Sequence, residues 1–285
     1  MKPITVLIPI YNAESFLKET IDSVLSQTFS NFDLFAMDDG STDNSPAIVK
    51  SYNDPRVKYI RCTHDFIGTL NKGIELSESK YIALLDHDDI MLPYRLQVQY
   101  VFMETHPEIA VCGGFMQNFG LQTNIQMVPL SHPDIIQNML QFSPILNPTG
   151  FIRRKVLVDN DIKYKRGYSF STDYKLWSDI AKIGKLATIP KILTRYRIHK
   201  KQTSNLYHDQ CLKGRMKVKM EILSYFLSHL KKDHEIAYVV EQKLMPFIEG
   251  LQKLGFFSEN VYSVFIYSLI TGLLKKGAIV LENNY

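Results

Sequence analysis

The run Tyr81-Ile82-Ala83-Leu84-Leu85, followed at once by Asp86-His87-Asp88-Asp89, constrains this chain more than any other stretch. A short, continuously apolar segment of this kind reads as a buried strand. Open α/β sheets collect their ligands at the carboxyl ends of such strands, so these acids are expected at a binding edge. Three carboxylates within four residues repel one another unless a cation stands among them. A hard divalent ion, Mg²⁺ or Mn²⁺, held by one or two carboxylates and by substrate phosphates, would relieve that repulsion. An acidic turn capping the next helix, with Asp89 near its start and Pro93 in its first turn, accounts for the same residues. Taken alone, the stretch favours neither.

Strand and helix patterns alternate around it. Thr5-Val6-Leu7-Ile8 is a strand, and the spacing predicts a helix over 13–27 with Asn12 as N-cap and Leu17, Ile21, Val24 and Leu25 on one face. A strand over 32–37 ends at Asp38-Asp39-Gly40-Ser41-Thr42-Asp43. A helix over 45–52, a strand over 57–61 and a helix over 67–76 lead to the strand before Asp86. Such alternation implies an α/β, doubly wound, mostly parallel sheet of Rossmann-like type, with both acidic clusters on one edge. Past Gly113-Gly114 the pattern becomes irregular, and from about 205 it turns helical. Expected units are residues 1–204, divided into a nucleotide-binding half of about 1–105 and an acceptor-side half of about 106–204, and a helical extension over 205–285.

Charge divides along the chain. Residues 1–149 carry 9 Lys/Arg against 17 Asp/Glu, whereas residues 150–201 carry 14 against 4. The acidic half suits metal and nucleotide chemistry. The basic segment, with Arg153, Arg154, Lys155, Lys163, Lys165 and Arg166, suits an anionic substrate, an anionic membrane surface or simply a solvated face. No nucleic-acid-binding motif accompanies it, so no nucleic-acid partner is expected. The three cysteines, Cys62, Cys112 and Cys211, lie far apart without metal-ligand spacing, and the first residues run directly into a strand rather than a signal peptide. A cytoplasmic setting is the simplest expectation, peripheral on the inner face of the membrane if the basic segment and C-terminal helices touch lipid. The apolar run over 261–274 is shorter than the roughly 20 residues a membrane span needs and is broken by polar groups. It is expected to be a packed helix or one lying on a membrane surface.

Pro9-Ile10-Tyr11-Asn12-Ala13-Glu14, Ser26-Gln27-Thr28, Asp38-Asp39-Gly40-Ser41-Thr42 and Asp86-His87-Asp88-Asp89 resemble, in order and spacing, the family 2 glycosyltransferases. The likeness is strong over about 3–105, weaker to about 204, and does not reach the tail. It implies a GT-A fold, a nucleotide-sugar donor and an inverting transfer. It also assigns roles by position. Pro9, Tyr11, Asp39 and Asp86 would bind the nucleotide, with Asp39 on the uracil of a UDP donor and Tyr11 packed beside that ring. Asp38 would face the other way, and Gly40 would permit the tight exit from the strand. Asp86 and Asp88 match the DxD pair, Asp88 being the expected Mn²⁺ or Mg²⁺ ligand and His87 a bystander. The metal would neutralise the departing diphosphate.

Ser171-Thr172-Asp173-Tyr174 resembles the segment that supplies the base, with Thr172 where the family often has Glu. Asp173 is the expected general base, since an inverting transfer must take a proton from the attacking hydroxyl. An acid in the first turn of a helix is stabilised by the helix dipole whether or not it is catalytic. Weaker candidates are Glu14, Asp65, Arg197 and His199, the last two within the family's closing segment Tyr196-Arg197-Ile198-His199. The Gln-x-x-Arg-Trp motif of processive synthases is absent, Trp177 being the sole tryptophan, so addition of a single sugar is expected. The acceptor would be a glycan or a lipid-linked saccharide, as in bacterial surface polysaccharide or lipooligosaccharide synthesis. Two rivals are a sugar-phosphate nucleotidyltransferase, which lacks its Gly-rich basic loop here, and a non-catalytic nucleotide-sugar-binding protein. No GxGxxG opens the first helix, which disfavours a dinucleotide oxidoreductase.

Overall fold

The computed structural model describes residues 1–228 of the 285. In chain order the elements are β1 (Ile4–Ile10), α1 (Leu17–Leu25), β2 (Phe32–Asp38), α2 (Ser45–Lys50), β3 (Val57–Arg61), α3 (Phe66–Leu76), β4 (Tyr81–Leu84), β5 (Ile90–Met91) and α4 (Arg95–Thr105). There follow β6 (Ile109–Gly120), β7 (Ile125–Gln126), α5 (His132–Asn138), a 3₁₀ turn (Asn147–Thr149), β8 (Phe151–Arg153), α6 (Arg154–Asp159), α7 (Thr172–Ile180), β9 (Lys185–Ile198), α8 (Thr203–Leu206) and α9 (His208–Ser228).

Among the described residues the strands form one sheet in the order β3-β2-β1-β4-β8-β6-β9-β5, with β7 beside β6. β1 to β4 are parallel through their pairings; β8 runs against both β4 and β6, and β9 runs with β6. Six strands thus share one direction, while β5, β7 and β8 oppose it. This is the mostly parallel sheet that the alternation implies. The carboxyl ends of β1, β2, β4, β6 and β9 line one edge.

Period-two alternation sorts the strand residues between two cores. Ile4, Val6, Ile8, Phe32, Leu34, Ala36, Tyr81 and Ala83 join the core under α1 and α4. Leu7, Phe35, Met37, Ile82 and Leu84 join the opposite core under α3, α5, α7 and α9. Continued past the strand ends, the same parity carries Asp39 and Asp86 to the α3/α7 side and Asp38 to the other. One residue of register therefore decides which acid can meet a ligand.

Three local expectations are corrected. Asn12 does not cap α1: it sits at φ 48°, its Oδ1 accepts from Thr42 N at 2.8 Å, and the helix starts at Leu17. Gly113-Gly114 does not end the regular pattern but lies inside β6, where the Leu193 side chain of β9 fills the space over Gly114. Asp89 does not start a helix. It is fully buried, β5 follows it, and α4 begins at Arg95, after Pro93. Within the expected extension over 205–285 the described residues form α8 and α9, and Val218, Ile222, Leu223 and Phe226 of α9 share a core with Tyr174 and Trp177 of α7; the rest of that expectation lies outside the described residues. The apolar run over 261–274 lies outside the described residues, among which no helix is long and apolar enough to cross a membrane.

His132, at the start of α5, accepts from Leu186 N through Nδ1 at 3.2 Å. Burial, aided by the Lys185 charge, lowers its pKa from 6.5 to about 4. Unfolded chain therefore binds a proton that the folded chain refuses, and stability falls as pH drops from 6.5 towards 4. We expect His132→Asn, which retains an acceptor for Leu186 N, to remove about 2 kcal/mol of that acid loss after allowance for solvent screening. Urea titrations at pH 7.5 and 4.5 on both proteins measure the difference.

Candidate active site

At the end of β2 the neighbouring acids separate as parity requires. Asp38 is buried and accepts from Ser41 N (2.8 Å), Tyr59 Oη (2.5 Å) and Arg61 Nη1 (2.8 Å). Burial would raise its pKa, but these donors hold the carboxyl below its ordinary value. Asp39 is also buried but turns towards α3: Oδ1 accepts from Asp65 N (2.7 Å) and Thr69 Oγ1 (2.6 Å). Gly40 makes the exit at φ 82°, a conformation that disfavours a side chain. His64 closes the pocket, with Nδ1 3.0 Å from Asp39 Oδ2 and its ring stacked on Tyr11 at a centroid distance of 4.3 Å. Tyr11 and Asp39 thus face one space. Pro9 lies beside them on β1, its carbonyl 3.1 Å from His87 Nδ1.

The acids after β4 occupy three environments. Asp86 is half-buried and accepts from Asn147 Nδ2 at 3.3 Å. Burial, then the charges of Asp88 and Asp173, push its pKa up to about 7. Asp88 Oδ2 lies 2.9 Å from His199 Nε2, and its carbonyl accepts from Arg197 Nε at 2.7 Å. Asp89 Oδ1 accepts from Arg197 N at 2.8 Å, whereas its buried Oδ2 meets no hydrogen-bond partner among the described residues. Burial, then Asp88 and Asp86, raise Asp89 well above the carboxylate range.

Arg95 lies fully buried beneath this loop and was not legible as a site residue. Its guanidinium donates to the carbonyls of Leu84 (2.8 Å), Pro148 (2.5 Å) and Gly150 (3.3 Å), to Thr194 Oγ1 (3.1 Å) and to Gln99 Oε1 (2.9 Å). Burial lowers its pKa to about 9, against the pull of Asp89 and Asp86, so it remains a cation at neutral pH. One side chain therefore ties the end of β4 to the turn that carries Asn147.

Asp173 reaches the same space from the other half of the chain, at the second residue of α7. Burial raises its pKa; the amides of the first helical turn and the nearby Arg215 of α9 oppose that rise. Its charge acts on Asp86, and both carboxylates, after burial, oppose ionisation of the buried Tyr164 phenol. Nothing in the local sequence marks Arg215, Tyr164 or Asn147, since their importance comes from folding together.

The weaker candidates are spread around this edge. Glu14 Oε2 accepts from Asn44 N at 2.9 Å, bracing the loop before α2. Asp65, beside Asp39, pairs with Arg166 across the cleft. Arg197 is held by Glu19 (2.5 Å) and lies over the rings of Phe16 and Phe119, while His199 leans on Phe16. Among the described residues no three His, Cys, Asp or Glu side chains form a metal-ligand group.

A mostly parallel sheet with acids after its second and fourth strands, faced by an acid on a helix across the cleft, is the GT-A architecture of glycosyltransferases. The family model for glycosyl transferase family 2 matches residues 5–177, and the chain belongs to that family. A glycosyltransferase of Haemophilus influenzae is 31% identical over 248 residues, covering 82% of this chain and 77% of its own. The Escherichia coli UDP-Glc:α-D-GlcNAc-diphosphoundecaprenol β-1,3-glucosyltransferase WfgD is 27% identical over 210 residues, covering 71% and 79%. TarS of S. aureus, solved with UDP-GlcNAc, superposes with a TM-score of 0.63 at 18% identity, covering 97% of this chain and 92% of that one. The Pyrobaculum calidifontis mannosyltransferase PcManGT, solved with GDP-Man and Mn²⁺, gives 0.61 at 14%, covering 97% and 79%.

Proposed function

We propose that this glycosyltransferase moves one sugar from a UDP-sugar to a hydroxyl of a lipid-linked glycan, with inversion. The observation that carries this reading is the convergence of Asp39, Asp86, Asp88 and Asp173, from three separate segments, on one sheet edge. In this reading Pro9, Tyr11 and Asp39 receive the uracil, and Asp86 and Asp88 flank the diphosphate. The acceptor hydroxyl attacks the anomeric carbon as the bond to the diphosphate breaks. The bonding electrons leave with UDP and the proton passes to Asp173. A carboxylate raised by burial is better matched to that proton transfer than a solvated one.

The donor class is supported by the UDP-glucose donor of WfgD and by the nucleotide complexes of TarS. The same relative supports a sugar on a lipid diphosphate as acceptor, which a basic 150–201 segment suits. The residues also fit a divalent cation: Asp86 and Asp88 crowd together, Asp86 is pushed up by burial and then by its neighbours' charges, and buried Asp89 Oδ2 has no hydrogen-bond partner among the described residues. Asp88, with Asp86 and donor phosphate oxygens, would hold Mg²⁺ or Mn²⁺. Bound there, the ion would supply countercharge to the leaving diphosphate. Arg197 and His199, hydrogen-bonded to Asp88, would set the position of that loop.

Calorimetric titration with UDP, GDP, CDP and dTDP, each with and without Mn²⁺, tests this assignment. We expect UDP alone to bind, with Mn²⁺ strengthening binding at least about tenfold and Asp88→Ala abolishing that gain. Selective binding of another nucleotide would overturn the role of Asp39. An Asp88→Ala protein that keeps the Mn²⁺ effect would overturn the metal assignment.

A further inference from the structure

On the segments that lead into α7 and α9 stand two aromatic rings that the chemistry above leaves unused. Phe170 and Tyr207 stack with centroids 4.6 Å apart and an interplanar angle of 17°, yet they are 48% and 42% exposed. The backbone that presents them is costly. Ser169 and Phe170 lie at φ 32° and 58°, in the left-handed region that bulky residues seldom occupy.

The loop is nevertheless fastened from both sides. On α9, Gly214 leaves room for the carbonyls of Tyr168 and Ser169, which any side chain there would strike. Ser171 Oγ donates to the Cys211 carbonyl (3.1 Å), Lys217 Nζ to the Gly167 carbonyl (3.1 Å) and Tyr168 Oη to Glu221 (2.7 Å). On α3, Asn71 exchanges two hydrogen bonds with the backbone of Tyr164. A strained segment so firmly held, ending in a ring open to water, points to ligand contact rather than to packing.

Both rings also sit on segments tied to the candidate base: Ser171, between Phe170 and Asp173, bonds the Cys211 carbonyl one turn after Tyr207. Phe170 lies three residues before Asp173, on the loop that enters α7. Tyr207 lies one turn before Cys211, whose amide donates to its carbonyl at 2.9 Å. Cys211 in turn is close enough to feel the Asp173 charge. A pyranose carries axial C–H groups on one face, and their partly positive hydrogens pack against the negative face of an aromatic ring.

We propose that Phe170 and Tyr207 form the acceptor-sugar subsite, receiving the apolar face of a pyranose and presenting a hydroxyl of that ring to Asp173. The proposal rests on the reading of Asp173 as base. Saturation-transfer NMR with UDP present, using the methyl glycosides of glucose, galactose and N-acetylglucosamine as probes, tests it directly. At least one probe should take up saturation most strongly on the protons of one ring face. That signal should fall about tenfold or more in Phe170→Gly and Tyr207→Ala, and persist in Tyr207→Phe. Phe170→Gly is suited to φ 58°, so it removes the ring while relieving the backbone, and its UDP affinity should be unchanged.

Absence of saturation in all three glycosides, or a signal that survives the Phe170→Gly/Tyr207→Ala double substitution, would overturn the proposal. Transfer activity retained by Asp173→Asn, alongside an intact one-faced saturation pattern, would overturn the base and leave the sugar subsite standing. The two assignments therefore fail by different measurements.

Discussion

Substituting Asp173 by Asn is expected to lower sugar transfer by about 10²- to 10⁴-fold and to leave UDP affinity unchanged. Asparagine matches the carboxylate in shape and keeps an oxygen to accept from the amides of the first turn of α7. It cannot take a proton from the acceptor hydroxyl, so the loss falls on the chemical step. The proposed nucleotide site draws on β1, β2 and α3, which the substitution does not touch. Single-turnover transfer and UDP calorimetry on one preparation separate the two effects. A variant with near-normal transfer would remove Asp173 from the reaction.

Arg95 is expected to have the largest effect on stability. Its guanidinium supplies hydrogen bonds to three buried carbonyls and two side chains, and it is the cation below Asp86 and Asp89. Arg95→Met would leave those buried acceptors without donors. A buried acceptor left unmet costs about 1–3 kcal/mol, so a total loss of about 3–5 kcal/mol is expected once the site relaxes. Arg95→Lys should recover little, because one ammonium cannot span the positions that the planar fork reaches. Urea midpoints measure the loss, and a change below about 1 kcal/mol in Arg95→Met would show that the network is not a support. Transfer should fall along with stability, since the Asp86 and Asn147 loops are joined through this residue.

Much of the fold was legible because the first hundred residues combine short apolar strands with amphipathic helices. The candidate site was legible where acids directly follow those strands, as at Asp39 and Asp86. Boundaries were less so. Asn12 reads as a helix cap, yet a contact with Thr42, thirty residues away, draws it into a left-handed turn. Gly113-Gly114 reads as a break, yet pairing with β9 keeps β6 extended through it. In both cases a tertiary contact outweighs local preference.

The order of motifs and the period-two pattern of β2 and β4 are properties of the chain itself. They determined that this is a family 2 glycosyltransferase and which acids reach the carboxyl edge of the sheet. Tertiary structure alone decided what surrounds those acids. Asp86 feels Asp173 across 87 positions of sequence, Arg95 joins the end of β4, the turn carrying Asn147 and β9 from beneath, and Phe170 meets Tyr207 because α9 packs against α7. Strand periodicity is local and can be read along the chain. Electrostatic and packing partners depend on distance in space, which arises only when distant segments have folded together.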